Sequence, residues 1–141
     1  VTSTTIPASV EAIYDHFTTT WASATEIGFD NENFRPSAQN VSWARVSVRH
    51  RTSRQDSLGA PGGRKFMRFG AVMVQLFVPV DAGSAPLATL MQTAVSALEG
   101  VVLSGVGYRV WLAAALAREL GQDGIWNAAL VEVPFSYEEV K

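Results

Sequence analysis

The stretch RKFMRFGAVMVQLFVPV, Arg64 to Val80, constrains the fold most. It is rich in β-branched and aromatic residues, and it turns wholly apolar towards its end. That pattern predicts a long strand in a sheet that is exposed at one end and buried on both faces at the other. The preceding segment NVSWARVSVRHRTSR alternates. Ala44, Val46 and Val48 face one side, while Arg45, Ser47 and Arg49 face the other. Between the two lies GAPGG, almost pure turn. The pair therefore reads as a long hairpin with a tip larger than the ideal two-residue loop.

Two helices are expected around it. Thr5 can cap the first, Pro7 suits its first turn, and Val10, Ile13, Tyr14, Phe17 and Trp21 form one apolar stripe. The segment from Thr25 to Asn40 reads as an extended connection with one short strand at most. The second helix lies in DAGSAPLATLMQTAVSALEG, with Ser84 as cap, Pro86 in the first turn and Gly100 at the end. Its buried stripe is Leu87, Leu90, Met91, Ala94, Val95 and Leu98. Tyr108 to Arg118 is helical by propensity but also alternates. A clear strand around Ala129 to Phe135, after the turn GQDG, needs a partner, so Tyr108–Arg118 is read as a strand. The result is one α+β domain over residues 1–141. It has a single, mostly antiparallel sheet, helices on one face and a long basic hairpin.

The formal charge of −2 hides a polarised chain. Arg45 to Arg68 carries +6, and everything else carries −8. Arg49, Arg51, Arg54, Arg64, Lys65 and Arg68 of the hairpin are the candidate interface residues. Like charges this close repel, which calls for a partner that supplies carboxylates or phosphates.

Catalytic and ligand signatures are sparse. The chain lacks cysteine, which excludes disulfides, thiolate metal sites and thiol nucleophiles. Its two histidines, His16 and His50, lack a third residue spaced to complete a metal site. His50 sits among arginines, which lower its proton affinity. GAPGGRK has neither the spacing nor the following helix of a phosphate loop. LSGVG lacks the first glycine of a nucleophile elbow. No paired-carboxylate spacing joins Asp15, Glu99 or Glu119. The apolar run Phe69–Val80 is too short to span a bilayer, and the N-terminus lacks a signal-peptide layout. The expectation is a soluble, intracellularly made protein that is not an enzyme.

The run from Trp43 to Val101 resembles the tail-terminator-like family of tailed bacteriophages. The resemblance rests on a Trp-initiated strand at Trp43, a basic Gly-rich tip, and Arg68, Gly70, Val74, Gln75, Phe77 and Pro79 in the next strand. It continues with a helix, a Gly-Val strand, and Trp126, Val131, Val133, Pro134, Phe135 and Tyr137 in the last strand. It covers most of the chain, from about Trp43 to Tyr137. The segment VWLAAALAREL departs from the pattern in being richer in Ala and Leu.

The resemblance implies a structural virion protein, made in the host cytoplasm. Such subunits form a ring, usually a hexamer, on the last ring of the tail tube. They stop tube polymerisation and meet the head connector or stopper. No cofactor, metal, reaction or membrane is implied. The hairpin then faces a neighbouring subunit, or the lumen and next ring, where DNA or an acidic tube protein passes. Four other readings stay open: another head–tail connector, neck or tail completion protein, a nucleic-acid-binding module using the basic hairpin, an enzyme of unrecognised type, and a solvated hairpin whose arginines serve solubility.

Overall fold

The computed structural model describes residues 3–21, 24–30, 35–36, 41–81 and 83–141. Helix α1 (Ile6–Trp21) starts where the sequence places it. The Thr5 side-chain oxygen accepts the Ala8 N–H at 3.4 Å, and its carbonyl accepts the Ser9 N–H at 3.0 Å. Ile13, Phe17 and Trp21 of the expected stripe are fully buried, while Val10 and Tyr14 pack at its margin. Ser9 is an unexpected member of the buried face. Its hydroxyl is satisfied by donating to the Ile6 carbonyl at 2.8 Å.

Strand β1 (Glu26–Phe29) is the one short strand allowed for in the connection; residues 31–34 and 37–40 of that segment lie outside the described residues. It runs parallel to β2 (Trp43–Gln55), so the sheet is mixed. β2 pairs antiparallel with β3 (Lys65–Pro79). Helix α2 (Ala85–Leu98) follows, with proline in its first turn. Ser84 holds the cap position, but its side chain makes no capping bond. Leu87, Ala94 and Leu98 are buried as expected, and Ala97 joins them.

After α2 come β4 (Val102–Gly105), β5 (Tyr108–Leu112), β6 (Leu116–Asp123) and β7 (Trp126–Val140). The sheet order is β1-β2-β3-β7-β5-β4, with β6 also paired to β7. Both helices cover one face. There Val46, Val72, Val74, Leu76, Val131 and Val133 meet Ile13, Phe17, Leu87 and Leu98. On the other face a smaller cluster has Trp43 stacked on Phe77 at 4.3 Å, with Trp126 edge-on to Trp43 at 6.2 Å.

The expected strand Tyr108–Arg118 is two strands, interrupted at Ala113–Ala115. Pro134 explains the break. It has no N–H to offer a ladder. β6 pairs with β7 as far as Leu116↔Glu132, and β5 takes over at Leu112↔Phe135, so Pro134 falls in the gap. Only its carbonyl is used, accepting the Ala113 N–H at 2.8 Å. The following turn is tighter than GQDG suggests. Asp123 pairs with Trp126, leaving Gly124 and Ile125 as a two-residue loop, with Gly124 at φ 63°.

Candidate assembly surface

The end of the sheet farthest from the Trp43 cluster is built from β2 after Val48, the first residues of β3 and the last residues of β7. From Arg49 to Gln55 every residue of β2 is exposed, because α1 and α2 do not reach this far. An irregularity between His50 and Thr52 shifts the β2–β3 register. Before it, even-numbered β2 residues face the helix side; after it, odd-numbered ones do. The bulge therefore places Arg49 and Arg54 on the same, helix-free face.

The hairpin cations are not an uncompensated cluster. Arg49 pairs with Asp30 after β1, and Arg51 pairs with Glu132 on β7. Arg54 reaches Asp56 at 2.6 Å, and Arg68 reaches Glu139 at 3.0 Å in the least exposed of these pairs. The hydrogen bond between Arg54 and Asp56 is the main reason the Asp56 carboxyl is held below its usual range. Three of the four carboxylates come from elements distant in sequence. About half of the hairpin's net positive charge is thus compensated in space, and repulsion no longer calls for a partner at Arg49, Arg51, Arg54 and Arg68.

Arg64 and Lys65 differ. Among the described residues neither forms an ion pair. Arg64 donates to the Lys141 carbonyl at 3.3 Å, and its guanidinium lies 5.8 Å from the centre of the Phe66 ring. Arg68 and Lys141 approach the same ring, at 5.6 and 5.9 Å. Beyond them the tip carries Leu58, which is 94% exposed. Leu58 was missed in the sequence reading because one leucine inside a turn leaves no periodicity. Glu132 and Glu139 were missed because their partners appear only once the β2–β3 and β3–β7 registers are known.

Under the hairpin, Gly70 on β3 faces Phe135 on β7. A Cβ at Gly70 would lie 2.6 Å from Phe135 Cζ, and closer still to the Arg49 carbonyl oxygen. The missing side chain lets the Phe135 ring lie flat across β3. His50 meets that ring edge-on at 5.3 Å, and its Nε2 is 2.6 Å from the Tyr137 hydroxyl. Although His50 as a residue is exposed, its ring is partly covered by Phe135 and Tyr137; this partial burial, and to a smaller degree Arg68, lower its pKa, so the cause is chiefly packing rather than the neighbouring arginines.

The folded pKa of His50 lies below the ordinary 6.5. As pH falls, the unfolded chain therefore binds this proton first. The contribution is fully present above neutrality and is lost as pH falls through about 6.5 towards the folded value. The melting temperature should drop between pH 7.5 and 5.5, and His50→Gln should shrink that drop. An unchanged pH profile in the variant would remove His50 from the account.

No family model matches the chain, and no curated protein matches it. Among the described residues, no helix is long and apolar enough to cross a membrane. Chains of solved structures do match. One, which bears only a sequence identifier as its name, aligns with a TM-score of 0.67 at 14% identity, covering 90% of this chain and 94% of that one. At that identity the likeness is one of fold: a strongly β-rich α+β architecture with two helices on a curled mixed sheet.

Proposed function

We propose that this chain is a ring-forming subunit of a tailed-phage tail terminator, which caps the tail tube, stops its growth and meets the head connector. The observation that carries the reading is where the residues behind the family resemblance sit. Trp43, Phe77 and Trp126, from three separate segments, share one cluster. Gly70 lies beneath Phe135, and Arg68 is opposite Tyr137. Residues matched one by one along the sequence thus form joint packing units of β2, β3 and β7.

A subunit role also suits the surface of β6. All eight of its residues are exposed, and Leu116, Leu120 and the adjacent Ile125 are about half exposed. Bare apolar edge strands invite pairing, and an assembly covers them. The nucleic-acid reading is weakened by the ion pairs, since four of the six hairpin cations already hold carboxylates of their own chain.

The test is removal of the coding sequence from a phage genome that carries it, followed by electron microscopy of the lysate. Tubes that run past a set length, beside filled heads without tails, are expected. Normal tails joined to heads would overturn the proposal.

A further inference from the structure

A groove of about 630 Å³ runs between α1 and the β4–β5 hairpin at the opposite lateral edge of the sheet from β2. Glu11 and Asp15 line one wall, and both are exposed. Val102 and Val106 line the other, with Val106 fully exposed at the turn. No lysine or arginine contributes to the lining. Among the described residues, neither carboxylate is in an ion pair.

The hairpin tip has the complementary chemistry. Arg64 and Lys65 are the two cations near the hairpin tip without an ion pair among the described residues, and the tip itself carries Leu58 as a bare apolar side chain. We propose that the β2–β3 tip of one copy docks in the α1–β4 groove of the next, Leu58 against Val102 and Val106, Arg64 and Lys65 facing Glu11 and Asp15.

The placement favours a contact between copies. The tip lies on the β2–β3 side of the sheet, and the groove lies at the β4 edge. A protomer cannot fold its own tip across the intervening β7 and β5. A contact between two different surfaces is heterologous and propagates, closing into a ring when the rotation allows. The charge pairs set encounter and register, while the apolar contact excludes water between them. This inference deepens the ring proposal by assigning its subunit interface, and it rests on that reading for the ring alone.

The chain's lack of cysteine provides a clean test. Both Leu58 and Val106 are exposed, so Leu58→Cys and Val106→Cys should not disturb folding. Under mild oxidation the double variant should give a ladder of cross-linked oligomers. Either single variant can give dimers at most. Adding Glu11→Lys and Asp15→Lys should abolish the ladder, and further adding Arg64→Glu and Lys65→Glu should restore it. Circular dichroism checks that each variant is folded.

A double-cysteine protein that stops at dimers, or a ladder indifferent to the charge reversals, would overturn the docking. Either result combined with overlong tails after gene removal would leave the terminator reading standing with a different interface. A charge-dependent ladder combined with normal tails would keep the docking and overturn the terminator role.

Discussion

Replacing Val131 with Asp should leave the chain unfolded at 25 °C. Val131 has no exposed surface, lies on the helix side of β7, and pairs with Val74 on β3 and Ala117 on β6. A carboxylate there has apolar neighbours on every side and no cation to meet. Burying an unpaired charge costs several kcal/mol, comparable to the roughly 5–15 kcal/mol that holds a domain together. Val131→Ala at the same site should cost only about 1–2 kcal/mol, the loss of two methyl groups plus a small cavity. Phe77→Asp acts in the same direction on the second cluster, where Phe77 stacks on Trp43. Far-ultraviolet circular dichroism during urea titration measures these effects. A cooperative transition for Val131→Asp at the wild-type midpoint would show that the face assignment of β7 is wrong.

The second large effect should come from the smallest change. Gly70→Ala adds one methyl group to a site whose nearest neighbours include a backbone carbonyl, that of Arg49, as well as the Phe135 ring. The ring can swing, but the carbonyl belongs to the β2–β3 ladder and moves only if the strands separate. Overpacking of this kind costs about 1–3 kcal/mol, and the backbone clash puts Gly70→Ala at or above the top of that range. Gly105→Ala is the natural control. The three atoms nearest its Cβ would all belong to the Tyr108 side chain, at 2.7–2.8 Å, beside an exposed turn where that side chain can give way. It should cost less than about 1 kcal/mol. Equal urea midpoints for the two variants would contradict the close approach of β2, β3 and β7 at Gly70.

The two long strands and both helices were legible because their apolar residues repeat with one clear period each. The alternation at Ala44, Val46 and Val48 placed the buried face of β2 correctly, and Ile13, Phe17 and Trp21 placed that of α1. Periodicity failed where a partner strand changes. The alternation from Tyr108 to Leu116 runs without interruption through Ala113–Ala115, yet the ladder stops there because Pro134, a neighbour across the sheet, offers no N–H. That break was written in β7, not in the segment that breaks.

Charge was misread for a related reason. Arg45–Arg68 is strongly basic along the chain, but Asp30, Glu132 and Glu139 arrive beside it through sheet pairing. A linear count of charge cannot contain that. The cations near the tip that remain without an ion pair among the described residues, Arg64 and Lys65, were named in the sequence reading but could not be ranked above the rest. Their distinction depends on which strand lies next to each arginine.

The most direct test of the central claim is to add the purified protein to tail-tube subunits polymerising in vitro and to image the products. The account predicts that tube growth stops and that each stopped tube carries one added ring at one end. Tubes that lengthen at the same rate with bare ends would contradict it.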